Sequence, residues 1–237
     1  MNKNLDNRAL SALVLAVGLT VLGLCVKSGM DSLASRDRKV VVKGLAEREV
    51  EADKVTWPIL SKELGDNLPD LYDRIAVTQG KIKKFLLANG VQESEIDVSA
   101  PVVIDLNADQ YNTNTRAYRY NITSIITVTS SNVSLVRGII ARQGELLKEG
   151  VAIVDGGYNN PITYEYVSFA SMKPAMMEEA IENAETTARQ FADNSKSELG
   201  KIVSAGQGQF SIDDRDLNTP YIKKVRVVTT VTYSLED

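Results

Sequence analysis

The chain is predicted to be α+β, with one N-terminal transmembrane helix followed by a body of two strand–helix–strand–strand units joined by a helix. Three observations predict this. Residues 9–26 contain no charged side chain. Alternating strand patterns flank helical patterns twice, and Thr127-Val128-Thr129 returns as Thr230-Val231-Thr232. In residues 171–199, Met177, Ala180, Ile181, Ala184, Ala188, Phe191 and Ala192 recur at three- and four-residue spacing, while Glu178, Glu182, Glu185, Arg189 and Asp193 point elsewhere. Small side chains on that face let a helix lie close against a sheet. Periodicity leaves open whether the two units share one sheet or face each other.

The N-terminal segment is long enough to span a bilayer. Eighteen helical residues cover ~27 Å, close to the ~30 Å hydrocarbon core, and residues 9–26 offer only Ser11 and Thr20 as polar side chains. The expected organisation is a tail and anchor over residues 1–27, a polar tether over 28–38 and the body over 39–237. A cleaved signal peptide is the alternative, although no small-x-small site follows the run. Cys25 does not fit a lipoprotein site, because Leu24 stands where a small residue is needed. Lys3 and Arg8 precede the segment and Lys27, Arg36, Arg38, Lys39 and Lys43 follow it, so a plain charge count opposes export of the body. Large trailing domains cross largely regardless of such charge, which leaves orientation undecided by this count.

Within the body, residues 39–43 and 50–62 are expected as two strands joined around 44–48, with Pro58 marking an edge or a bulge in the second. Trp57 beside it is a packing anchor or a ligand platform, the former by residue habit. Asn67 caps an expected helix whose inner face is Leu71, Ile75, Ile82, Phe85 and Leu86 and which Gly90 ends. A strand over 95–106, a polar loop over 107–115 and a long strand over 117–130 follow. Tyr118, Tyr120, Ile122, Ile126 and Val128 share one side of that last strand. A helix over about 133–148, capped by Asn132, links the internal units, about 39–131 and 160–237. The second unit continues as a strand over 161–169, the alanine-striped helix, a strand over 201–212 and a final strand over 221–235.

Composition excludes several kinds of chemistry. The chain has no histidine and a single cysteine, which removes the commonest general base, the usual triads, Cys-cluster metal sites and any disulfide within the chain. Beyond residue 27 there remain 24 basic and 30 acidic groups, an acidic body that is a poor partner for nucleic acid. Asp105-Leu106-Asn107-Ala108-Asp109 begins like a calcium loop, but Gln110 replaces the turn glycine and Arg116 stands where the bidentate glutamate belongs. Gly206-Gln207-Gly208 lies within an expected strand after a helix, the reverse of a phosphate cradle, and is read as a bulge or a close backbone approach. Asp213, Asp214 and Asp216 are interrupted by Arg215 and read as a solvated connection. Glu178, Glu179, Glu182 and Glu185 read as a wet helix face. Tyr164 and Tyr166 share one side of a strand, as sheet packing or as part of a pocket or subunit contact. No catalytic, cofactor-binding or metal residue is assigned, and no enzyme activity or cofactor is expected.

Residues 40–53, Val-Val-Val-Lys-Gly-Leu-Ala-Glu-Arg-Glu-Val-Glu-Ala-Asp, resemble the opening of SIMPL-domain proteins, which often begin with a strand, a Gly-x-Gly/Ala-Glu turn and an Ala-Asp pair. Residues 180–212 are similar to that family's C-terminal half, with Phe191-Ala192, Leu199-Gly200-Lys201-Ile202 and Gln207-Gly208-Gln209-Phe210-Ser211-Ile212. The resemblance covers nearly everything after residue 38; Leu45-Ala46 departs from the usual turn. It implies a bacterial envelope or periplasmic protein of α+β fold with a signal or anchor. Some such proteins resemble ring- or cage-forming oligomers, and parts of the family are linked to stress defence; no catalytic residues are implied. The expected function is a non-catalytic structural or interaction module, held in the inner membrane through residues 9–26 with its body in the periplasm, and self-assembling as a homo-oligomer. The alternative is a periplasmic small-molecule binding protein with a pocket between its internal units, or a soluble periplasmic form after signal cleavage.

Overall fold

The computed structural model describes residues 3–35, 38–108 and 117–236. It is α+β with one apolar N-terminal helix, α1 (Lys3–Ser35), which holds the candidate span Leu13–Met30. Residues 28–35, expected as a polar tether, continue this helix. The side chains described in the span are exposed. They repeat no polar stripe that would mark a face for packing against protein.

The body begins with β1 (Lys39–Glu51) and β2 (Lys54–Gly65). The turn therefore falls at Ala52-Asp53, not around 44–48 as expected. Gly44 stays in the strand because of what crosses it: a Cβ there would stand 1.7 Å from the Ala180 carbonyl oxygen. Helix α2 (Leu68–Ala88) buries Leu71, Ile75, Ile82, Phe85 and Leu86 as expected, and Gly90, at φ +94°, follows its end. Asn67 occupies the cap position without a side-chain cap bond. The strand expected over 95–106 is broken into β3 (Ile96–Val98) and β4 (Val102–Asp105), with Pro101 in the break. Both pieces pair antiparallel with β5 (Tyr120–Ser130).

The linking helix is likewise two pieces, α3 (Val133–Ala141) and α4 (Gly144–Lys148). Asn132 Oδ1 accepts from the Leu135 amide at 3.1 Å, as a cap should. Short strands β6 (Ile153–Val154) and β7 (Thr163–Glu165) come next, and β7 is much shorter than the strand expected over 161–169. Helix α5 (Phe169–Asn194), β8 (Glu198–Asp214) and β9 (Ile222–Glu236) complete the chain.

By its contacts the chain forms two compact units, one of residues 1–47, 173–211 and 226–237, the other of residues 48–172 and 212–225. In the second unit β5 and β2 are the inner strands of a six-stranded sheet, with β3 and β4 along β5 and with β6 and β7 along β2. Pro58 is thus on an inner strand, contrary to the edge expected. It lies opposite the gap between β7, which pairs residues 54–56, and β6, which pairs residues 60–61, where no neighbour needs its missing N–H. Trp57 is 2% exposed and packs with Ile59, Ile82, Leu86, Ile126 and Val128 in the main core, as a packing anchor.

In the first unit, α5 lies on the sheet β1-β9-β8. Its buried face is Met176, Ala180, Ala184, Ala188 and Ala192, a strict four-residue repeat. Ile181 and Phe191, expected on this face, are exposed, and Met176 takes the place expected of Met177. A four-residue ridge of alanines is the narrowest helix face that still contacts a sheet along its length, so side chains one step around it fall in solvent.

Candidate functional site

Asp105, Asp214 and Asp216, conspicuous in the polar clusters of the sequence, are held by the protein's own groups. Asp105 Oδ2 pairs with Arg119 at 3.0 Å and its Oδ1 accepts from the Asn107 amide, so the first residue of the calcium-like run is engaged with a cation. Asp109, Gln110 and Arg116 of that run lie outside the described residues. Asp214 pairs with Lys223, and Asp216 organises the turn by accepting from the Asn218 and Thr219 amides, each at 2.8 Å. Hydrogen bonds from Thr219 and then Arg215, outweighing desolvation, hold the Asp216 carboxyl at about 2. Glu185 pairs with Arg189 at 2.6 Å along α5, and Glu178 and Glu182 are exposed on the same helix. Among the described residues no group of three or more Asp, Glu, Cys or His is placed to hold a metal.

Gly206-Gln207-Gly208 lies inside β8 as a close approach: a Cβ on Gly208 would stand 2.5 Å from the Val228 carbonyl oxygen, whereas one on Gly206 would meet nothing nearer than 3.8 Å. Opposite contacts at Gly200 with Ser234 and at Gly208 with Val228 make β8 and β9 antiparallel. Beyond β9, β8 is an edge strand of the sheet. Gly208 is its only buried residue, and Ile202 and Val203 are each about half exposed. From residue 202 to 212 it carries neither charge nor proline. Natural edges are usually blunted by lysine, proline or bulges, and an edge without them is a template for another strand.

A second feature lies wholly within the unit of residues 48–172 and 212–225. Arg137 projects from α3 and lays its guanidinium 3.3 Å from the centre of the Tyr221 ring. Tyr164, on β7, meets Tyr221 edge-on with ring centres 6.2 Å apart. Burial pushes the Tyr164 phenol above its ordinary value, against the pull of the Arg137 charge. The three side chains border a cleft of about 490 Å³ completed by Ile140, Ala141, Ile162, Leu217, Asn218 and Pro220. Tyr164, a pocket candidate by its place in the sequence, lines this cleft; Tyr166 does not. Arg137 and Tyr221 carried no such mark, because a lone arginine on a helix and a tyrosine at a strand start are ordinary residues until the fold stacks them.

The family model SIMPL, described as a protein of unknown function (DUF541), matches residues 40–233. No curated protein matches the chain. Among solved structures, the ligand-free regulatory subunit of aspartate kinase from Thermus thermophilus is similar at 12% identity. The alignment covers 79% of this chain and 87% of that one with a TM-score of 0.20, too low to carry an argument.

Proposed function

The chain belongs to the SIMPL family, and from that premise we propose that it is a non-catalytic structural module of the bacterial envelope, anchored by α1 with its body in the periplasm, that assembles with copies of itself through the free edge of β8. The observation that carries this reading is the edge itself: eleven consecutive residues, 202–212, uncharged and proline-free on an outermost strand, all exposed but the buried Gly208 and the half-buried Phe210. At ~3.4 Å per residue this is an edge of ~37 Å.

The occupant the edge fits is a second β8. A two-fold antiparallel pairing centred on Gln207 sets Ile202 of one copy opposite Ile212 of the other, and Lys201 opposite Asp213. Both ends of the paired run then match oppositely charged residues, and no like charges meet across it. A pairing centred on Gly206 would instead set Glu198 against Asp214. Charge selects the first register over the second.

The test uses the full-length chain in its membrane. Alkaline carbonate should leave it in the pellet, since α1 spans; release into the supernatant, or a mature chain lacking α1, would remove the anchor. After detergent extraction, sedimentation should give a dimer or larger species. Gln207→Lys should weaken assembly because it brings two lysines together at the two-fold. Like charges ~5 Å apart repel by about 1–3 kcal/mol at an edge between water-like and surface-like dielectric, or roughly 5- to 150-fold in the dissociation constant. Gln207→Glu should do the same, and mixing the two variants should restore pairing. A monomer at every concentration would refute assembly, and two variants that associate like the parent chain would refute this register.

A further inference from the structure

We propose that the cleft bordered by Arg137, Tyr164 and Tyr221 is a binding site for a small aromatic carboxylate that carries no amine. This goes beyond the assembly reading and does not depend on it.

Recognition would start at Arg137. Its guanidinium has five N–H donors in one plane, and one face of that plane is occupied by the Tyr221 ring. Stacking satisfies the face and leaves the donors, which lie in the plane, unspent; among the described residues none accepts a hydrogen bond from them. The usual partner of a half-buried arginine is a carboxylate held bidentate. Among the described residues the protein supplies none here, since no Asp or Glu is among those lining the cleft. Stacking also fixes the plane of the fork, so an incoming carboxylate meets donors that are already oriented.

The rest of the cleft specifies the body of the ligand. Ile140, Ile162 and Pro220 give apolar walls, and two tyrosine rings stand at 69° to one another. A flat ring meets an edge and a face there, the geometries that aromatic pairs prefer. A cleft of about 490 Å³ lies within the range of small-molecule sites. The lack of any acidic side chain among the described lining residues sets the last condition. An ammonium on the ligand would lose water and gain no counter-charge, while standing near the Arg137 cation, so an amino acid is disfavoured relative to its deaminated analogue.

The probes are 3-phenylpropionate and L-phenylalanine, which differ only by the amine, titrated calorimetrically into full-length protein in lipid nanodiscs with empty nanodiscs as blank. Phenylpropionate should bind saturably at one site per chain, and phenylalanine should bind at least about tenfold more weakly. Arg137→Gln should weaken phenylpropionate by about tenfold or more, because a charge-assisted bidentate contact is lost. Leu217→Glu decides the matter if that variant folds poorly: Leu217 is 98% exposed, so the change leaves the core alone and places a carboxylate at the mouth. It should weaken phenylpropionate several-fold, with the deficit shrinking in high salt. Absence of saturation up to about 10 mM, a millimolar limit below which specific small-ligand sites fall, would overturn the proposal. So would equal affinity for the two probes, or unchanged phenylpropionate affinity in Leu217→Glu.

Discussion

Replacing Gly44 by alanine adds one methyl group at the point where α5 crosses β1. The new Cβ would stand 1.7 Å from the Ala180 carbonyl oxygen and 2.8 Å from both the Ala180 carbonyl carbon and the Ala184 nitrogen, where ordinary contact begins at 3.4 Å. All three atoms are backbone of a regular helix, so no rotamer change relieves the overlap. The helix must lift by about 1.7 Å, a displacement that forfeits a quarter to a half or more of each contact's dispersion energy along the stripe. Ala184, Ala188, Val42, Val231 and Tyr233 share that layer. The cost therefore belongs at or above the upper end of overpacking penalties, about 3–5 kcal/mol. At about 2–4 °C per kcal/mol for a chain of this size, the melting temperature of the full-length protein should fall by roughly 10 °C, followed by circular dichroism. Ala180→Gly in the same chain should not rescue it, because the clashing atom is the carbonyl oxygen and not the methyl. Gly206→Ala is the matched control, with nothing nearer than 3.8 Å, and should change little. A Gly44→Ala protein that melts within about 2 °C of the parent chain, or one that Ala180→Gly restores, would refute this account of how the helix meets the sheet.

Two further outcomes are expected. Asn132→Ala should cost about 1 kcal/mol, because its side chain caps α3, while Asn67→Ala, whose side chain caps nothing, should cost little; chemical denaturation of the pair checks both. Asp53 accepts from the Val167 amide at 2.6 Å and the Ser168 amide at 2.8 Å just before α5. Desolvation raises its carboxyl, but hydrogen bonds from Ser168 and Val167 outweigh it and hold the group below its ordinary value. A depressed carboxyl stabilises above its unfolded value and loses that contribution as pH falls through the folded one. Asp53→Asn should thus be less stable than the parent chain at neutral pH, with the difference closing below about pH 4, as paired melting curves at several pH values would show.

Much of the fold was legible because its periodicities are long. The inner face of α2 was read residue for residue, and Val128 and Val231, the centres of the two Thr-Val-Thr runs, are both buried. The misreadings have a common origin in contacts distant along the chain. Glycine at position 44 looks like a turn residue in its local context, yet it continues the strand because Ala180 passes over it. Pro58 looks like an edge marker, yet it occupies an inner strand because two short neighbours leave a gap beside it. Ile181 and Phe191 fit a wide apolar stripe by spacing, but the sheet admits only the alanine ridge.

The two functional features differ in legibility for the same reason. The β8 edge was half visible: its uncharged run stands in the sequence, and only the strand order shows that the run is outermost. The cleft was legible only at Tyr164, since Arg137 and Tyr221 are far apart in sequence and neither belongs to a motif. What distinguishes Arg137 is that no carboxylate among the described residues pairs with it, and such a cation can be recognised only after the neighbouring carboxylates have been placed. Asp105, Asp214 and Asp216 attract attention in the sequence as clustered charge, and each is already engaged by a cation or by backbone amides. Charge that is conspicuous along the chain is therefore largely spent on the fold here. The donors left over for a ligand are on a residue that composition and spacing pass by, which makes the stacked arginine the stronger place to look for binding.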